Sequence, residues 1–217
     1  MSIRTRRPMF KRIVPTLLSG AFVCPVAYRE EHTYLVDAAN LAAVDDYLGK
    51  IGYRVTKTRH GGAFFATHVE LGGKEERRDA RELFTHIKHT LRPLVHFIEM
   101  VMRAMQSDEF LFAGAVIEAN KLMAAIDSNP SFRNDLQSLA TQLKGISADG
   151  SDRGRLDKVM RRLRDDGYLV LSNPDREIYQ VTGKIEFILE VIEYLMEHQG
   201  AAVEEDEAAT PEQGGLL

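Results

Sequence analysis

The spacing of apolar residues changes abruptly at two glycines. In VDDYLGKIGYRV (44–55), Val44 and Leu48 lie four apart, as on one face of a helix. Beyond Gly52 the run Tyr53 to Lys57 alternates, as a half-buried strand does. VMRRLRDDGYLV (159–170) repeats the pattern, with Val159, Leu163, Gly167, Tyr168 and Val170 aligned to Val44, Leu48, Gly52, Tyr53 and Val55. Each glycine stands where a helix end favours a left-handed residue. After the first, Arg59 to Gly62 supplies a turn and Ala63 to Val69 a returning strand; after the second, Asn173 to Asp175 turns and Glu177 to Val181 returns.

A helix, a glycine and a hairpin describe the recognition helix and wing of a winged-helix module, and the pattern occurs twice. The expected fold is mostly α with small β-hairpins (α+β), as tandem winged-helix domains. Two unrelated helix–hairpin pieces of an α+β protein are the alternative. The expected organisation is a flexible basic arm over 1–9, a first winged-helix domain over 10–73, a second with a preceding helix over 74–200, and a disordered acidic tail over 201–217.

The remaining periodicity predicts helices near 12–19, 38–50 and 75–88, with Pro93 interrupting or kinking the last of these as it continues. Leu94, Val95, Ile98, Val101, Met102 and Met105 mark the next apolar face, and Asp108 is placed to cap the element beyond it, with Phe110 to Phe112 as a short strand or helix start. Helices are then expected over 113–126 and 132–143, a loop from Gly145, and a cap at Ser151 or Asp152 for the second recognition helix. A final helix runs from Thr182 to about His198. It carries one stripe of Ile185, Ile188, Leu189, Ile192, Leu195 and Met196 and a second of Phe187, Val191 and Tyr194. Apolar residues on two sides fit either a fully buried helix or one that also meets a partner.

Composition narrows the function classes. The 217 residues suffice for one large domain or two small ones, 44 % hydrophobic and 28 % charged. A net charge of −4 confines any nucleic-acid contact to a local patch. Cys24 is the lone cysteine and reads as a buried core residue. Pro8, Arg12 and Pro15 break up the N-terminal apolar residues, so neither a signal peptide nor a membrane span is expected, and the expected compartment is the cytoplasm.

Candidate chemistry is sparse. His86, His89 and His96 invite a metal hypothesis, but no carboxylate joins them at ligand spacing, and solvated or packing roles are expected. No phosphate loop, nucleophile elbow or dinucleotide fingerprint occurs. Asp45-Asp46 and Asp165-Asp166 read as solvated surface. No catalytic residue and no cofactor is expected. Arg153, Arg155, Lys158, Arg161, Arg162 and Arg164, by contrast, crowd the second recognition helix or its cap, and Arg155, Lys158, Arg161 and Arg162 project largely away from the core side of Val159 and Leu163. In a winged helix that surface meets DNA; ordinary solubility charge is the alternative, with Asp157, Asp165 and Asp166 close by. The first copy has no such patch. Arg4, Arg6, Arg7, Lys11 and Arg12 form a second basic segment.

The segment SDRGRLDKVMRRLRDDGYLV, the ending EIYQVTGKIEFILEVIEYL and the acidic tail, with the two modules, resemble the MukE/MksE family over roughly residues 10–200, the MksE branch more closely. The resemblance implies a kleisin-interacting, tandem winged-helix (KITE-type) subunit of a bacterial condensin. Such a subunit forms homodimers, binds an MksF-like kleisin and reaches an MksB-like SMC ATPase through it, in chromosome organisation and segregation at the nucleoid. It implies DNA contact within the complex, carried here to the six basic residues above, and a dimer or kleisin interface to which Phe187, Val191 and Tyr194 are suited. A winged-helix transcription regulator is the other reading.

Overall fold

The computed structural model describes residues 6–70, 73–106, 111–143 and 150–207. The N-terminal unit contains helices α1 (Arg6–Leu18), α2 (Arg29–Val36) and α3 (Ala38–Gly49) and the hairpin β1 (Tyr53–Lys57) and β2 (Phe64–His68). Tyr53 faces His68 and Lys57 faces Phe64 across the antiparallel pair. Val23 bridges to Phe64 on the other edge of β2, exchanging two backbone hydrogen bonds of 2.8 and 2.9 Å.

The C-terminal unit repeats this plan with additions. It runs α4 (Lys74–Met105), β3 (Val116–Glu118), α5 (Ala119–Ser128), α6 (Pro130–Gln142), α7 (Asp152–Asp165), β4 (Leu169–Asn173), β5 (Ile178–Val181) and α8 (Lys184–Glu207). The sheet order is β3-β5-β4, antiparallel throughout. In both units a short extended segment after the first helix pairs with the returning strand of the hairpin. The fold is a helix-rich α+β fold with small antiparallel sheets.

Local chemistry starts and stops these elements. Asp37 caps α3 by accepting from the Asn40 N–H, Asn129 caps α6 with Pro130 at its first position, and Ser151 caps α7 by accepting from Gly154 N–H. Each such cap is worth about 1 kcal/mol. Gly52 and Gly167 both have φ of +81°, the left-handed turn that lets a helix lead into a strand. Among the described residues two hydrophobic clusters result. Ile13, Leu17, Leu35, Val44, Leu48 and Phe64 centre the first, and Phe97, Leu122, Ile126, Val159, Leu163 and Tyr168 belong to the second. Cys24 is fully buried.

Several expectations are revised. Of the two effects expected of Pro93, interruption does not occur: α4 is continuous over 32 residues with Pro93 inside it. An internal proline costs about 3 kcal/mol, but Leu94, Phe97, Ile98, Met100 and Val101 just beyond it are at most 2 % exposed and each contributes roughly 1.5–3 kcal/mol by burial. Residues 113–126 are not one helix: Gly114 is left-handed and Val116–Glu118 form β3, with Ile117 facing Tyr179. Helix α2 lies where no element is expected from the sequence. α1 begins inside the arm expected to be flexible, and α8 continues to Glu207, into the expected tail; alanine and glutamate are strong helix formers. Asp108, Phe110 and Gly145 lie outside the described residues.

The first turn of α8 joins the two units. The Glu186 carboxylate, in a residue only 4 % exposed, accepts from the Thr58 hydroxyl at 2.8 Å and the Gly62 N–H at 3.0 Å. Arg59 donates its backbone N–H to Glu190 and pairs with Glu193 at 2.9 Å. The rings of Phe22, Phe65 and Phe187 meet at centroid distances of 4.9 to 5.1 Å. The Lys184 ammonium donates to the Asp166 carbonyl and lies over the Tyr168 ring. Burial lowers the Lys184 pKa against the pull of Asp166, and raises that of Tyr168 to about 12.

His32 of α2 gives a pH test of the first core. Its Nε2 is buried without a hydrogen-bond partner among the described residues, its ring contacts Phe64, and its pKa is lowered by burial and by Lys57. A folded-state pKa below the unfolded value of about 6.5 means that the unfolded chain takes up the proton first as pH falls. The stability contribution is therefore complete above about pH 6.5 and is lost below it. Thermal melts between about pH 7.5 and 5.5 should show a steeper decline for the wild type than for His32→Leu; parallel declines would show that His32 is not the responsible group.

Candidate nucleic-acid interface

Helix α7 buries Leu156, Val159, Met160 and Leu163, which turns its basic residues outward or sideways. The structure divides the six predicted ones by their partners. Arg153 donates to Asn120 Oδ1 at 2.8 Å, pairs with Asp157 at 3.0 Å and hydrogen-bonds Glu177. The Glu177 bond is the main reason that its pKa is raised, against a smaller opposing effect of burial. Arg155 pairs with Asp152, Arg162 with Asp166 and Arg164 with Asp165, at 2.6 to 2.8 Å. Lys158 and Arg161 are exposed and have no ion pair among the described residues. The aspartates expected as solvated surface are therefore partners of this helix. Tyr179 of β5 marks the same side: burial raises its pKa, Arg164 opposes that, and Asp157, Glu177 and Arg161 all act on it.

The matching helix of the first unit is built differently. Asp45 is not free surface, since its carboxylate accepts the Val55 N–H at 2.7 Å and ties α3 to β1. Asp46 pairs with Lys50. Tyr47, Ile51 and Val69 are 45–50 % exposed, and Val69 donates its N–H to Gly52 next to Ile51. This end of the unit exposes apolar side chains beside the Asp46–Lys50 pair, where α7 is basic. In the N-terminal basic segment, Arg12 pairs with Glu30 and Glu31; Arg4 lies outside the described residues.

The predicted interface residues of α8 have different surroundings. Phe187 is held between Phe22 and Phe65, Val191 is half-buried against the second core, and Tyr194 is 50 % exposed. Sequence reasoning misses the role of Phe187 at the junction because its aromatic neighbours are far away in the chain. Met196 is 69 % exposed, the highest value among the described large hydrophobics of this helix.

His96 is engaged by α6, 3.3 Å from Gln142 and 3.6 Å from Asp135. The side chains of His86 and His89 lie outside the described residues. Among the described residues no group of three His, Cys, Asp or Glu could hold a metal, and no helix is long and apolar enough to cross a membrane.

No curated protein matches the chain. A family model described as condensin complex protein MksE matches residues 8–192, which include both helix–glycine–hairpin units, the junction and the first part of α8. The chain belongs to the MksE family of condensin complex proteins.

Proposed function

We propose that this protein is a non-catalytic subunit of a bacterial condensin-like SMC complex, acting in chromosome organisation and segregation at the nucleoid. Its two units, over 10–73 and 74–200, are winged-helix modules. It dimerises, binds a kleisin, reaches the SMC ATPase through that kleisin, and contacts DNA in the assembled complex. The observation that carries this reading is the family match over residues 8–192. The difference between the modules supports a division of labour: the apolar end at Tyr47, Ile51 and Val69 suits a protein partner, and the exposed Lys158 and Arg161 suit phosphate.

Tagged protein recovered from cells should bring down a long coiled-coil ATPase and a kleisin. Recovery of neither by a folded protein would end the reading. In the same experiment Ile51→Glu should reduce kleisin recovery about tenfold, the effect of roughly 1.4 kcal/mol at a desolvated contact. Unchanged recovery would move the kleisin contact away from this end of the first module.

A further inference from the structure

We infer that Arg153 is a positioning residue: through Glu177 and Asn120 it fixes the β4–β5 turn so that Arg176 stands beside Lys158 and Arg161 on one nucleic-acid surface. The inference rests on the DNA reading above. It departs from it in giving Arg153 no phosphate of its own.

Three elements meet at this guanidinium. It hydrogen-bonds Asn120 on α5, Asp157 on its own helix, and Glu177 at the end of the turn. Glu177 is a non-glycine residue at φ +50°, a conformation that persists where the surroundings enforce it. Its N–H donates to the Pro174 carbonyl, and its own carbonyl accepts the Ala119 N–H at 3.1 Å, so both its main chain and its side chain tie the turn to α5 and α7. Asn173 holds the other side of the turn by accepting the Arg176 N–H at 3.0 Å.

Arg176, next in sequence to this anchor, is exposed and has no ion pair among the described residues, like Lys158 and Arg161. Arg153 lies on α7 and Glu177 at the end of the turn, so their hydrogen bond sets the turn against the basic helix. Arg153 is committed to carboxylates, so its charge is spent on geometry.

The test turns on the sign of one effect. Glu177→Gln removes a negative charge beside the surface. Simple electrostatics then predicts tighter DNA binding. Loss of positioning predicts binding about fivefold weaker near 0.15 M salt, the loss of roughly one phosphate contact. The full-length chain is titrated with a labelled mixed-sequence DNA duplex. Arg153→Gln and Glu177→Gln should each weaken binding to the level of Arg176→Gln, and adding either to Arg176→Gln should cost nothing further, as for residues acting through one group. The Ala119 amide should exchange faster in Arg153→Gln. Tighter or unchanged binding by Glu177→Gln, additive losses, or unaltered exchange at Ala119 would each overturn the positioning role while leaving the DNA reading intact. A wild-type chain that does not bind the duplex would overturn that reading, and this inference with it.

Discussion

Gly183→Val is expected to lower the melting temperature by about 10 °C, through a loss of roughly 3 kcal/mol or more. The reason is proximity, not backbone conformation. A Cβ at Gly183 would stand 2.7 Å from Ala63 Cβ, 2.8 Å from the Gly62 carbonyl and 3.0 Å from Cys24 Cβ. None of these is the mobile end of a side chain, and Ala63 and Cys24 are fully buried, so the first turn of α8 has to retreat. That retreat pulls Glu186 from Thr58 and Gly62, and the orphaned buried donors and carboxylate add to the steric cost. Gly167→Ala is the control. Its φ is +81° but its added Cβ would meet only Lys184 Cδ, at 3.8 Å, so the expected cost is about 1 kcal/mol. Adding Ala63→Gly to Gly183→Val should restore part of the loss by clearing one of the three contacts. A Gly183→Val protein that melts with the wild type, in one transition, would show that the two units are not held together at this turn.

How much of the molecule is legible in the sequence depends on how far apart the interacting residues lie. The two glycines declare themselves because a helical period meets an alternating one there, and both have the left-handed φ that such a junction needs. Strand β3 hides inside an apparently helical stretch because it has three residues, too short for a period to register; its pairing with β5 decides its state. Pro93 does not end α4, because a local rule meets a helix whose second half is fixed by tertiary burial. On α7, the outward direction of the basic residues follows from Val159 and Leu163. The pairs Arg153–Asp157 and Arg162–Asp166 are also available to the sequence, being four residues apart. Asn120 and Glu177 are not, since they come from another helix and a hairpin turn. Phe187 likewise waits on Phe22 and Phe65, which no spacing along α8 reveals.

The neutralising pair Lys158→Gln/Arg161→Gln should weaken duplex binding by about 30-fold near 0.15 M salt and reduce the salt slope by about 1.8, as expected for two lost phosphate contacts. The informative comparison is Arg162→Gln/Arg164→Gln, which removes the same net charge from the same helix. Arg162 and Arg164 are paired to Asp166 and Asp165, so a phosphate could recruit them only by breaking pairs already made, whereas Lys158 and Arg161 have no ion pair among the described residues to surrender. If net charge alone governed binding, the two double variants would lose affinity equally. If contact governs it, the first should lose far more, and the slope should change chiefly there. Thermal stability should discriminate in the opposite direction, because Arg162→Gln leaves the Asp166 carboxylate, 16 % exposed, without its partner, while Lys158→Gln disturbs no ion pair among the described residues. Equal losses of affinity would reduce the basic residues of α7 to a general field, and no loss in either variant would leave them as solubility charge on a module that meets only protein.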